Sequence, residues 1–275
     1  MNIKKFKGEN KKGKKILIIG GVHGDELTPI YSVYLYQKYL KSNKKRDFKS
    51  ITIINSINKS GIENCTREMS NNNTSDLNRK LTHENFSPTD KLKELIQKSD
   101  VIIDCHSSPK CCDFVLLNMD EYNNSYVEFC KKNNINYLNR YSNANTIKKY
   151  ALDMDKISFT VELNKMNYVD IESAKSGKDL ISNIVENINS MKYKKSEPKY
   201  EPYTEFNHHK SGIFFPKYKL GEVISKGDKL GYILDLTSYE KHKVIFNRDG
   251  YYRLICQGVS DYITPKDSIY YLQKL

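Results

Sequence analysis

The stretch KILIIGGVHGDE, residues 15–26, constrains the fold of this chain more than any other. Four apolar residues, three of them β-branched, run into two glycines, which predicts a buried parallel strand that ends in a tight turn. His23 and Glu26 follow at once, and helical spacing of apolar residues begins near Asp25. The pattern therefore places an imidazole and a carboxylate beyond the carboxyl end of a strand, where open α/β sheets carry their sites.

A His-x-x-Glu pair alone is also the pattern of an ordinary surface helix with an acidic first turn. A second strand, Val101 to His106, supplies a candidate third metal ligand. Alternation along this strand puts Asp104 and His106 on one face. By itself His106 is equally typical of a hydrogen-bonded core histidine. Together with His23 and Glu26 at the ends of neighbouring strands, it predicts a His₂Glu zinc site that holds one Zn²⁺ per chain.

Further strands and helices alternate along the chain before a polar linker. The segment 56–87 shows no sustained period, and the glycine-separated short strands after the linker indicate a small all-β unit. Further strands are predicted at 50–55, 113–117 and 157–163. A short helix is predicted to begin at Pro88, and two more helices are predicted at 122–132 and 169–191. The predicted linker is 192–205.

The composition excludes several classes of function. The net charge of +12 comes almost entirely from lysine, whereas arginine, which reads bases and clamps phosphates, occurs only six times. We therefore expect no nucleic-acid partner. No apolar run approaches the ~20 residues of a membrane span, and no signal peptide is evident, so a cytoplasmic protein with reduced cysteines is expected.

Four short motifs occur in a defined order: GVHGDE at 21–26, DLNR at 76–79, DCH at 104–106 and TVE at 160–162. Together they resemble the succinylglutamate desuccinylase/aspartoacylase branch of the zinc carboxypeptidase superfamily. The resemblance implies an α/β fold with a mixed twisted sheet flanked by helices in residues 1–195. It also implies a small C-terminal all-β barrel-sandwich domain in residues 196–275.

The resemblance also implies roles for individual residues. His23, Glu26 and His106 would bind zinc, and Glu162 would be the general base that activates water. Arg67 would polarise the scissile carbonyl, and Asn78 and Arg79 would bind a substrate carboxylate, for which the planar guanidinium is suited. The alternative for Arg67 and Arg79 is that they form ordinary ion pairs at the surface. The alternative for Glu162 is a structural ion pair with a lysine.

Three departures from the family pattern concern the substrate pocket. Residues 71–74 look like an insertion between Arg67 and the DLNR motif, and Leu163-Asn164 stands where a glycine often follows the base. No arginine lies between Tyr141 and Glu162, where aspartoacylases carry one, and Lys148 and Lys149 are the nearby cations. The sequence therefore predicts a substrate other than N-acetylaspartate.

The function predicted from these observations is zinc-dependent hydrolysis of an amide bond in a small carboxylate-bearing substrate, of the N-acyl amino acid deacylase type. One alternative keeps the site and changes the substrate, as a metallocarboxypeptidase acting on peptides or peptidoglycan fragments. A second alternative is an inactive hydrolase scaffold that serves as a basic binding protein. The sequence does not determine the oligomeric state.

Overall fold

The computed structural model describes residues 2–43, 46–69, 76–81, 87–142, 144–258 and 260–275. The helices in these ranges are α1 (Leu27–Ser42), α2 (Lys59–Asn64), α3 (Ser87–Gln97), α4 (Asn123–Lys132), α5 (Ile147–Leu152) and α6 (Ile171–Asn187), with 3-10 turns at Leu77–Arg79 and Ile188–Ser190. The strands of the first part are β1 (Ile3–Lys7), β2 (Lys15–Ile19), β3 (Ser50–Ile54), β4 (Val101–Ser108), β5 (Phe114–Asn118), β6 (Tyr137–Arg140) and β7 (Ile157–Asn164). Those of the second part are β8 (Thr204–Asn207), β9 (Gly212–Pro216), β10 (Val223–Ser225), β11 (Lys229–Leu234), β12 (Lys241–Ile245), β13 (Tyr251–Gln257), β14 (Tyr262–Ile263) and β15 (Ser268–Lys274).

The first part is built on one seven-stranded mixed sheet with the order β1-β3-β2-β4-β7-β5-β6. The four central strands, β3, β2, β4 and β7, run parallel, whereas β1 pairs antiparallel with β3 and β5 pairs antiparallel with β7. The edge strand β6 runs parallel to β5. Parallel strands are covered on both faces, which explains why β2 and β4 are apolar runs. The predicted mixed sheet flanked by helices is confirmed.

Each face of the sheet packs on its own set of helices. Alternation along β2 sends Ile16 and Ile18 into a cluster with α1, α4 and α6, and Leu17 and Ile19 into a cluster with α3 and α5. Both sets of β2 side chains are fully buried. The sheet is therefore the middle of three layers, and its strand ends are held rigidly from both sides.

Segment 56–87 contains more structure than its sequence predicts. Helix α2 lies within it, capped by the Asn58 side chain, which accepts from the Gly61 amide. A six-residue helix with a glycine in it is too short to show a helical period. Gly24 allows α2 to approach, since a Cβ there would lie 2.0 Å from the Gly61 carbonyl carbon. Residues 71–74, the predicted insertion, lie outside the described residues.

The second part consists of two four-stranded antiparallel sheets, ordered β10-β13-β15-β8 and β12-β11-β9-β14. They enclose one apolar cluster that includes Phe214, Phe246 and Tyr270. The predicted C-terminal β-sheet unit is confirmed, while its boundary at residue 196 stays a prediction. Among the described residues no helix is long and apolar enough to cross a bilayer.

Candidate metal centre and active site

The ends of β2 and β4 bring the three predicted zinc ligands together. Gly21 adopts a positive φ of 62° just after β2, which turns the chain so that His23 and Glu26 face the sheet edge. His106 lies near the end of the adjacent parallel strand β4. All three side chains are buried, with relative exposures of 2–3%.

The ligand atoms of these three residues converge on one point. The Nδ1 atoms of His23 and His106 are 3.1 Å apart, and each lies close to a different oxygen of Glu26, at 2.7 and 3.1 Å. One candidate ligand atom from each residue falls within 4.8 Å of the others. Three lone-pair donors this close repel one another unless protons or a metal cation lie between them. Two imidazoles and a carboxylate are a donor set that fits a divalent metal ion such as Zn²⁺.

Two further carboxylates fix the orientation of the imidazoles. His106 Nε2 contacts Asp104 Oδ2 at 2.9 Å, and His23 Nε2 contacts Asp76 Oδ1 at 3.1 Å. Each outer nitrogen can therefore carry the proton and donate it to a carboxylate, which leaves both Nδ1 atoms free to bind metal. Strand alternation predicts that Asp104 lies on the same face as His106, but no local pattern predicts the contact of Asp76, the first residue of the DLNR motif, with His23.

The carboxylates of this cluster favour positive charge between them. Burial opposes charge on His23 and His106, yet Asp76, Asp104 and Glu26 hold the pKa of both imidazoles above its usual value. Burial likewise opposes ionisation of Glu26, but the two histidines lower its pKa to about 2. A metal cation would satisfy the same carboxylates without protonating the ligands.

Glu162 lies beside His106 on the neighbouring strand. The parallel ladder between β4 and β7 pairs the two residues directly, and alternation buries Phe159 and Val161 in the opposite face. Its Oε2 accepts a hydrogen bond of 2.8 Å from Ser108 Oγ. Burial raises the pKa of Glu162 and outweighs the opposing effect of His106, which brings it toward the range useful to a general base.

Arg67 pairs with two carboxylates of the candidate metal site. Its Nη2 lies 3.1 Å from Asp76 Oδ2 and its Nη1 lies 3.6 Å from Glu26 Oε1. It is therefore anchored beside the metal ligands, with its side chain 40% exposed.

Asn78 and Arg79 follow on the 3-10 turn, where Asp76 caps the Asn78 amide. Asn78 is buried and accepts from the Ile147 amide at 2.8 Å, and Arg79 donates to the Asn78 carbonyl at 3.0 Å.

A cavity of about 270 Å³ joins these groups. It is lined by all seven predicted site residues: His23, Glu26, Arg67, Asn78, Arg79, His106 and Glu162.

Its far wall contributes Arg140 and Lys148. The sequence did not predict that Arg140 lines the cavity. Arg140 ends the short strand β6, which the sequence did not predict, and it lies one residue before the segment 141–162 in which the family pattern places an arginine.

The cations of the far wall have few partners. Lys148 is buried and its Nζ donates to the Leu116 carbonyl at 2.7 Å, while the Nε atom of Arg140 is buried without a hydrogen-bond partner. Burial lowers the pKa of Lys148 to about 8, and Arg140 adds to this effect while Asp120 opposes it. Within the described residues, no carboxylate lies at ion-pair distance from either side chain.

A family model matches more than half of the chain. The model of the succinylglutamate desuccinylase/aspartoacylase catalytic domain matches residues 12–188. The chain belongs to this family. A search of curated proteins finds no match.

Solved structures share the fold of nearly the whole chain at low sequence identity. The succinylglutamate desuccinylase/aspartoacylase from Rhodobacter sphaeroides has a TM-score of 0.69 at 17% identity, covering 99% of this chain and 88% of its own. An aspartoacylase family protein from Mesorhizobium loti gives 0.68 at 16% identity, with 99% and 88% covered. The product-bound ectoine utilization protein EutE from Ruegeria pomeroyi gives 0.67 at 18% identity, with 98% and 87% covered.

The residue after the predicted base, where the sequence analysis expects a difference from the succinylglutamate desuccinylase/aspartoacylase pattern, is part of the core. Leu163 follows the predicted base and is fully buried in the core, so the wall after Glu162 is anchored by packing. The pocket does contain an arginine, because Arg140, one residue before the segment 141–162 that lacks one, lines the cavity. The expectation of a substrate other than N-acetylaspartate stays a prediction.

Proposed function

We propose that this member of the family is a zinc-dependent hydrolase that cleaves an amide bond in a small, carboxylate-bearing substrate of the N-acyl amino acid type. The observation that carries the proposal is the convergence of both Nδ1 atoms and the Glu26 carboxylate, with Glu162 on the adjacent strand. Bound there, Zn²⁺ would act as a Lewis acid that polarises the amide carbonyl and acidifies water.

Four side chains of the cavity would carry out the other steps of the reaction. Glu162 would take a proton from water and deliver it to the leaving amine, since its carboxylate faces the cavity beside His106. Arg67 is anchored on Asp76 and Glu26, so its guanidinium is placed to stabilise negative charge that develops on the carbonyl oxygen. Arg79 and Asn78 would bind a substrate carboxylate.

The far wall supports a second negative group on the substrate. Lys148 is buried and Arg140 is half-buried in the cavity wall, and neither has an ion-pair partner among the described residues. A cation removed from water is costly unless an anion compensates it. An N-acyl amino acid with an acidic side chain or a dicarboxylic acyl group would supply that anion. The cavity volume of about 270 Å³ favours such a compound over a longer peptide.

The proposal is tested by measuring zinc content and hydrolysis together. We expect one zinc per chain and turnover of N-acetyl or N-succinyl derivatives of acidic amino acids, with slower turnover of neutral derivatives and dipeptides. His106→Ala should lose both zinc and activity. Undiminished zinc in this variant would remove His106 from the ligand set, and preferred cleavage of C-terminal residues from peptides would favour the carboxypeptidase alternative.

A further inference from the structure

Two cysteines meet where the C-terminal sheets contact the first part of the molecule. Cys111 lies on the loop between β4 and β5, and Cys256 lies on β13. The two residues form an isolated antiparallel bridge. Backbone hydrogen bonds of 2.8 Å flank it on both sides, from the Cys112 amide to Ile255 and from the Gln257 amide to Lys110.

The hydrogen-bond pattern identifies the class of this pair. Because the bonds join the residues before and after Cys111 and Cys256, the cysteines occupy a non-hydrogen-bonded antiparallel position. Residues so placed have Cα atoms about 4.5 Å apart, with side chains on the same face. That separation lies within the range that a disulfide spans, about 4.4–6.8 Å. The neighbouring Cys256 thiol and burial together raise the pKa of Cys111, which agrees with contact between the two sulfur atoms.

We propose that Cys111 and Cys256 form a redox-active pair that closes to a disulfide by exchange with a low-molecular-weight disulfide such as oxidised glutathione. Cys256 is the partly exposed partner, so its thiolate attacks one sulfur of glutathione disulfide and releases the first glutathione thiol. The buried Cys111 then loses its proton and attacks the Cys256 sulfur, which releases the second. Two protein thiols are oxidised and one small disulfide is reduced to two thiols.

The Cys111 thiol also links this pair to the cavity. Its sulfur donates toward the carbonyl oxygens of Ser108 at 3.3 Å and Leu163 at 3.4 Å. Ser108 donates its hydroxyl to Glu162, and Leu163 follows Glu162 directly on β7. Closing the disulfide removes the thiol proton from both contacts, so oxidation acts on the backbone that positions Glu162.

The other cysteines do not offer this geometry. Cys105 and Cys130 are buried in the core cluster of the large sheet, and Cys65 is exposed on the C-cap of α2. Cys112 is adjacent to Cys111, but its sulfur contacts the Leu254 carbonyl and the Asn136 amide at 3.9 Å. Cys112 is therefore the matched control for a specific pair.

The experiment uses zinc-loaded protein in a Cys65→Ser background, which removes the exposed thiol. We expect oxidised glutathione to reduce the thiol count by two and peptide mapping to identify a Cys111–Cys256 link. Cys112→Ser added to this background should lose the same two thiols, whereas Cys256→Ser should lose none. An unchanged count, a link through Cys112, or a product that stops at glutathionylated Cys256 would overturn the proposal.

A second measurement does not depend on the proposed catalytic activity. The link would join residues far apart in sequence, so the melting temperature should rise by about 5–10 °C on oxidation and return after reduction with dithiothreitol. Cys112→Ser should show the same shift and Cys256→Ser should show none. A mapped link with an unchanged or lower melting temperature would show that the native structure does not accommodate the disulfide, against the proposal.

Discussion

The two walls of the cavity differ in how their charges are balanced. On the metal wall, two imidazoles contact three carboxylates, those of Glu26, Asp76 and Asp104. On the far wall, Arg140 and Lys148 face the same cavity, and no described carboxylate pairs with either. The carboxylates of the metal wall are balanced by the two imidazoles and by Arg67, which pairs with Glu26 and Asp76, whereas neither cation of the far wall has a carboxylate at ion-pair distance among the described residues. Under the proposed function, the comparison favours a cation site at the first wall and a site for an anionic group of the substrate, the anion site, at the second.

The largest effect is expected from Glu162→Gln, which removes the base and keeps the shape. We predict that kcat falls by roughly 10²–10⁴-fold, the usual contribution of general base catalysis, because the amide cannot accept the proton. Zinc content and melting temperature should stay at the parent values, since Glu162 is not among the converging ligand atoms. A variant with lower stability but parental turnover per folded molecule would instead assign Glu162 a structural role.

The anion site is tested by Lys148→Met, with Lys149→Met as the matched control. We predict that KM for doubly acidic substrates rises by roughly 10–100-fold in Lys148→Met, because one charge-assisted contact is lost. Lys149 is paired with Asp153 outside the cavity, so its variant should keep the parental KM. Equal KM values for all three proteins would mean that the far wall does not contact substrate.

Asp104→Asn tests the cation site indirectly, through the residue that orients His106. The asparagine side chain has the size of aspartate but offers His106 Nε2 a neutral acceptor in place of a carboxylate. We therefore predict that zinc affinity falls by roughly 10–100-fold. Competition with a chelator measures this change, and near-saturating zinc should restore most of the activity. Unchanged zinc affinity would show that Asp104 does not orient the ligand.

The smallest effect is a pH dependence of substrate binding. Because the pKa of Lys148 is lowered to about 8, the side chain is cationic below that pH and becomes neutral above it. KM for doubly acidic substrates should therefore rise by roughly threefold to tenfold between pH 7 and pH 9. The Lys148→Met variant should lose this rise, and a rise that persists in the variant would assign it to another group.

The sequence predicted the metal wall better than the far wall, for a physical reason. His23 and Glu26 follow strand β2, and His106 and Glu162 lie near the ends of β4 and β7. Each of these strands has an apolar run that the sequence shows clearly, and parallel pairing brings their carboxyl ends together. Arg140 and Lys148 belong to β6 and α5, elements of four and six residues that show no detectable period. The sequence predicted neither element, so it could not predict that their side chains meet.

The same reason applies to contacts that cross the chain. The edge strand β1 and helix α2 were missed because both are short and their burial depends on partners distant in sequence. The pairing of Arg67 with Asp76 follows from the path of the intervening segment, which no local pattern specifies. The bridge between Cys111 and Cys256 is likewise a property of the folded chain.

The direct pairing of His106 with Glu162 in the parallel ladder has a consequence for how this site can change. Neighbouring strands lie about 4.8 Å apart, a length set by backbone hydrogen bonds and insensitive to side-chain identity. The separation between His106, a proposed metal ligand, and Glu162, the proposed base, is therefore set by the backbone of the sheet. Under the proposed function, exchanging residues on β6 and α5 would change the substrate pocket without altering this separation.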